Sequence, residues 1–188
     1  EPYRRQRQMC IRDRYNSNNS GCPVCHTHPQ IHFETEYKIM EIERKFTIRQ
    51  LPDNLDAYPH YEIKQAYLCT DPVMRIRKQD SKYIFTYKGR GLMVREEYNL
   101  PLTQEAFEKL LPKAEGVIIH KTRYKIPIEQ SDLVIELDLF HAPSSLIMAE
   151  VEFPDEESAN AFIMPDWFLA DVTNDPAYHN SNMATAGH

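Results

Sequence analysis

Glu41-Ile42-Glu43-Arg44-Lys45-Phe46 is the stretch whose reading decides the fold. Glu41, Glu43 and Lys45 fall on one parity, and Ile42, Arg44 and Phe46 on the other. Successive side chains of a strand point to opposite faces. Two carboxylates and an ammonium therefore share one face, and two apolar side chains flank an arginine on the other. Carboxylates at i and i+2 stand about 7 Å apart and repel. They need a cation between or above them, and a hard divalent metal with oxygen ligands meets that need. A solvated edge strand with scattered charges would give the same six residues, so the rest of the chain has to decide.

The alternation recurs. Glu41 to Ile48 is the first expected strand, and Glu62 to Thr70 the second, after a proline-bearing loop at Leu51 to Tyr61. Val73 to Gln79 is entered through Thr70-Asp71-Pro72, with Arg75 and Arg77 on one face. Asp80-Ser81 turns the chain into Lys82 to Lys88, and Gly89-Arg90-Gly91 turns it into Leu92 to Leu100. Thr103 caps a helix to about Ala114, with Ala106, Phe107, Leu110 and Leu111 as its apolar stripe. Val117 to Ile128 puts Lys121, Arg123 and Lys125 on one face; Leu133 to Phe140 does the same with Glu136 and Asp138, and Leu146 to Phe153 with Glu150 and Glu152. Asp155 caps a helix to about Ile163, and the tail from Asp166 to Ala186 ends in a short helix.

About eight strands thus share one pattern, apolar on one face and charged on the other. A flat sheet of that length exposes two edges, which a closed antiparallel barrel removes. The expected fold is mainly β (α+β): a closed eight-stranded antiparallel barrel, with flanking helices over its apolar exterior and the charged face inside. Buried charges are costly unless paired or liganded. Carboxylates on the first and last strands suit one or two hard metal ions. Arginines and lysines spread round the wall suit a ligand with several phosphates, because the guanidinium fork matches phosphate oxygens. Together they describe a tunnel for a metal-bound triphosphate.

The chain has 188 residues, enough for one domain with a tail, and 41% hydrophobic content suffices for a core. A net charge of −6 argues against a nucleic-acid coat protein. No apolar run is long enough to span a membrane. Of Cys10, Cys22, Cys25 and Cys69, only the last lies in the strand-rich body, which suits the cytoplasm. Residues 1–39 read as an extension outside the folded domain, disordered or non-native. They hold a basic arm, an Asn/Ser-rich run and Cys22-Pro23-Val24-Cys25-His26. That last spacing occurs in haem attachment and zinc sites, but no export signal or supporting fold accompanies it, and neither ligand is expected.

From residue 40 to 185 the chain resembles the CYTH family, also called the triphosphate tunnel metalloenzymes. The resemblance rests on Glu41-x-Glu43-x-Lys45, Arg75-x-Arg77, Lys88, Lys121-x-Arg123, Glu136-x-Asp138 and Glu150-x-Glu152, in that order. The tail from Asp171-Val172-Thr173 to Tyr178, Asn180 and Asn182 is similar to the C-terminal plug region of short bacterial members. The resemblance implies that residues 40–188 are a triphosphate tunnel domain. It implies that Glu41, Glu43, Glu150 and Glu152 hold Mg²⁺ or Mn²⁺, with Asp138 a nearby ligand or water positioner. Lys45, Arg75, Arg77, Lys88, Lys121 and Arg123 would grip the phosphates. Lys45, Tyr67 and Asp138 would serve the reacting centre, the Tyr67 hydroxyl pairing with Lys45. Arg95, Glu97 and Lys125 would balance charge in the lumen. The implied activity is metal-dependent hydrolysis of a terminal phosphoanhydride, with inorganic tripolyphosphate first among substrates. Thiamine triphosphate, cyclisation of ATP and non-catalytic polyphosphate binding are the alternatives. A homodimer is plausible from relatives.

Overall fold

A computed structural model of the chain describes residues 40–185; the expectations for residues 1–39 lie outside that range. Every strand pairing in it is antiparallel. The strands are β1 (Glu41–Ile48), β2 (His60–Thr70), β3 (Val73–Gln79), β4 (Lys82–Lys88), β5 (Val94–Arg95), β6 (Glu97–Pro101), β7 (Glu115–Pro127), β8 (Val134–Ala142), β9 (Ile147–Glu152) and β10 (Phe168–Asp171). The helices are α1 (Gln104–Leu110), α2 (Glu156–Ala161) and α3 (Asn180–Thr185).

The hydrogen-bonded order runs β1-β9-β8-β7-β2-β3-β4-β6, and β5 returns to β1. Only Glu96 separates β5 from β6, so these two act as one bent stave. Glu41 pairs with Arg95 and Ile42 with Val94, and the Glu43 amide donates to the Met93 carbonyl at 3.0 Å. That seam closes a barrel of eight staves, an even number as an all-antiparallel ring requires. The expected fold class therefore holds, with two differences. The strand expected over Leu92 to Leu100 is broken, because the stave must leave β4 and reach β1. A strand absent from the sequence reading, β10, pairs with Phe46, Thr47 and Ile48 beyond the seam.

Alternation sorts the faces. Ile42 and Phe46 point outward into a cluster with Val151, Phe153, Ala159 and Phe168, under α2 and β10. Arg44 shares that outer face but not its chemistry. It donates to Asp171 at 2.5 Å and to the Ala159 carbonyl at 2.6 Å, and it lies 5.1 Å over the Phe46 ring. Thr103 caps α1 by accepting from the Ala106 amide, and α1 buries Phe107 against Ala66 and Ile76 on the far side. Asp155 caps α2 by accepting from the Ser158 amide.

The inner face changes character along the barrel. Ile119, Phe140 and Met148 lie two residues from Lys121, Asp138 and Glu150, yet they are apolar and buried. With Tyr67 they receive Met183 and Ala184 of α3. The tail thus stoppers one end of the barrel. Gly116 makes this docking possible: its φ is +68°, and a Cβ there would lie 2.1 Å from the Ala184 carbonyl oxygen. Left-handed strain and a backbone clash would act together. Gly116→Ala is expected to destabilise the protein by roughly 1–3 kcal/mol, read as a melting point several degrees lower. An unchanged melting point would mean that α3 shifts without cost.

Candidate functional site

The open part of the barrel interior is a cavity of about 360 Å³. Seven cations line it, Lys45, Arg75, Arg77, Lys88, Arg95, Arg123 and Lys125, against six carboxylates, Glu41, Glu43, Glu97, Glu136, Glu150 and Glu152. The carboxylates gather where β1 meets β9 and the flanking staves. The register sets Glu43 opposite Glu152 and Lys45 opposite Glu150.

Most of these charges hold one another. Lys45 Nζ bridges Glu43 at 2.8 Å and Glu150 at 2.6 Å. Lys88 Nζ bridges Glu41 and Glu97, both at 2.6 Å. Arg95 joins Glu41 at 3.0 Å to Glu43 at 2.7 Å. Arg123 reaches Glu150 at 2.5 Å and also meets Glu136, which Lys125 shares. Burial would push the Lys45 ammonium down, but Glu150 and Glu43 outweigh it and hold it above the ordinary lysine range. Burial would likewise raise the Glu150 carboxyl, yet Lys45 and Arg123 keep it well below its usual range. For Glu43, burial and Glu41 push up, and Lys45 and Lys88 prevail downward.

The β3 wall is different. Arg75 donates weakly to Thr86 at 3.4 Å, and its Nε is buried without a partner. The Arg77 side chain makes no hydrogen bond or ion pair among the described residues, and its Nε is also buried and unpartnered. Burial, then Arg75 and Arg123, push its guanidinium down to about 9, so it is still cationic at neutral pH. A half-buried arginine with a spare buried donor beside two other arginines is an anion site by composition.

A family model described as the CYTH domain matches residues 39–162. The chain belongs to the CYTH family. An inorganic triphosphatase of Nitrosomonas europaea is 41% identical over 149 residues, spanning 77% of this chain and 96% of the relative. An inorganic triphosphatase of Acetivibrio thermocellus is 35% identical over 153 residues, spanning 76% and 92%. The solved structure of the inorganic triphosphatase NE1496 aligns with a TM-score of 0.59 at 37% identity. It covers 78% of this chain and 95% of that one.

Within this CYTH chain, Glu41, Glu43, Lys45, Tyr67, Arg75, Arg77, Lys88, Arg123, Glu150 and Glu152 all line one cavity. Lys121 and Asp138 do not. Both are fully buried, and they pair with each other at 2.5 Å on the inner face, next to the end stoppered by α3. Neither side chain is among the residues that line the cavity. Tyr67 is not paired with Lys45 either: its hydroxyl accepts from Gln65 Nε2 at 3.1 Å, and burial pushes its pKa up. The sequence reading also missed His179, which lines the cavity with Asn180 and Ser181. Its Nε2 lies 3.2 Å from the Thr173 carbonyl, and burial, then Lys45, push its pKa down. Its signal lay in the tail already noted for Asn180, one residue further on, but a lone histidine outside any alternating strand has no periodicity to mark it.

Proposed function

We propose that this chain is a metal-dependent hydrolase of the terminal phosphoanhydride of a triphosphate, acting on inorganic tripolyphosphate. The observation that carries the reading is the pairing of walls in one cavity. Arg75 and Arg77 keep donors to spare, opposite carboxylates that are charged and closely spaced. The CYTH relatives named as inorganic triphosphatases support the substrate.

The donor set suits a resident Mg²⁺ or Mn²⁺. Glu41, Glu43, Glu150 and Glu152 are hard oxygen donors on adjoining strands. Lys45, Lys88 and Arg95 now supply the positive charge these carboxylates need, and among the described residues no group of three stands ready-made for a metal. When bound, the metal neutralises charge on the phosphate oxygens and lowers the pKa of a coordinated water. The chain's own part is positional. Arg75, Arg77 and Arg123 bind phosphate oxygens, and Lys88 and Lys45 add charge as they release their carboxylates. Water attacks the terminal phosphorus in line, an O–P bond forms, and the anhydride P–O bond breaks toward diphosphate. Lys45 stays protonated and acts as a cation.

The test is orthophosphate release from tripolyphosphate, ATP and thiamine triphosphate, with Mg²⁺, with Mn²⁺ and with chelator. The expected result is metal-dependent release, fastest from tripolyphosphate and absent with chelator. Tight binding of tripolyphosphate with no release from any of the three would overturn the hydrolase reading.

A further inference from the structure

Arg95 sits on β5, the short strand that closes the barrel against β1, and its side chain is 10% exposed. Its Nε donates to Glu41 Oε2 at 3.0 Å, and its Nη2 donates to Glu43 Oε1 at 2.7 Å. One planar fork thus spans two carboxylates at i and i+2, the pair whose mutual repulsion calls for a cation. A divalent cation that both carboxylates hold has to compete with this guanidinium for them.

Lys88, Lys45 and Arg95 all touch this pair, and they differ in what else they hold. Lys88 donates to both Glu41 oxygens and also meets Glu97 on β6. Lys45 meets Glu43 and also Glu150 on β9. For Arg95, Glu41 and Glu43 are the only ion-pair partners among the described residues. Each lysine therefore keeps a carboxylate when the β1 pair is taken over, and Arg95 keeps none.

Arg95 also has a place to withdraw to. It lines the cavity of about 360 Å³ and, with Val73, His179 and Ser181, an adjoining groove of about 180 Å³ that carries the Asp71 carboxylate. The side chain stands in the partition between these two spaces. Its backbone is pinned by the pairing of Glu41 with Arg95 and of Ile42 with Val94. The guanidinium can thus leave the carboxylates by side-chain rotation, with the seam closed.

We infer that Arg95 is a positioning residue and a built-in competitor of the metal, holding Glu41 and Glu43 at their spacing until a divalent cation displaces it. The inference rests on the reading of those two glutamates as metal ligands.

The experiment titrates Mn²⁺ into the chelator-treated full chain by calorimetry, with no phosphate present. Arg95→Met is expected to tighten Mn²⁺ binding about tenfold, because a positive charge leaves the two donors. Arg95→Lys keeps the charge and loses the fork, and should tighten it about threefold. Lys125→Met removes the same charge from a cavity cation that holds Glu136 instead, and should change the affinity less than about twofold. In a Glu41→Gln/Glu43→Gln background, Arg95→Met should give no gain. Unchanged or weaker Mn²⁺ binding in Arg95→Met, an equal gain from Lys125→Met, or a gain that survives loss of both carboxylates would each overturn the inference. Should Arg95→Met fail to fold, Arg95→Lys decides by the same signs. If neither the wild type nor the Arg95 variants bind Mn²⁺, the metal reading and the inference fall together. If the gain appears but tripolyphosphate is not hydrolysed, only the hydrolase reading fails.

Discussion

Replacing Glu41 and Glu43 together by glutamine is expected to lower metal-dependent phosphate release roughly 10³-fold. Both carboxylates sit on one face of β1, each 7% exposed, and the Arg95 guanidinium joins them. Glutamine keeps their shape and a hydrogen-bond acceptor while removing charge, the property a divalent cation needs. A general loss of structure would also abolish turnover, so the informative readout is metal-free binding of tripolyphosphate by calorimetry. Seven cations would then face four carboxylates, and Lys88, Lys45 and Arg95 would be partly released from their present partners. Metal-free binding should therefore hold or tighten while turnover collapses. Retained turnover in Mg²⁺ or Mn²⁺ would refute the assignment of these two residues. A collapse of both would make them structural instead.

The alternation that singled out β1 carried far. β1, β3 and β4 have the bounds read from the sequence, because Thr70-Asp71-Pro72 and Asp80-Ser81 punctuate them sharply. The inward parity of Glu41, Glu43 and Lys45 follows from a period of two, and so does the outward parity of Phe46. Parity gives a face but not a depth. Lys121 and Arg123 share a face, yet only Arg123 lines the cavity, because the C-terminal helix fills the barrel beside Ile119 and Phe140. That is a long-range contact with no trace in the local pattern. The same holds for β10, four residues whose pairing with β1 is a tertiary fact. It holds too for the break at Glu96, where the alternation continues but the stave changes neighbours. Ion pairing was legible only in outline. The sequence showed both signs on one face, but not that Lys45, Lys88, Arg95 and Arg123 each hold two or more carboxylates. It therefore did not show that Arg77 is left over.

That remainder gives the other large effect. Arg77→Met is expected to weaken tripolyphosphate binding about 10²-fold while raising thermal stability. Methionine fills much of the same space and has no charge to desolvate. The guanidinium it replaces is held in the folded state with its Nε buried and unpartnered, next to Arg75 and Arg123, both repulsive. Removing it relieves that cost by about 1 kcal/mol, which raises the melting point by about 2–4 °C in a domain of this size. Arg123→Met is the contrast. Arg123 is gripped by Asp138 and Glu150, so its removal strands buried carboxylates and should lower the melting point. The two arginines line one cavity, carry the same charge and both face phosphate in the proposed complex. Opposite signs in the melt with losses of the same sense in binding would mean that Arg77 is kept for its ligand alone. A melting point that falls for Arg77→Met, with calorimetric affinity for tripolyphosphate unchanged, would instead make Arg77 part of the scaffold and remove the anion site from the β3 wall.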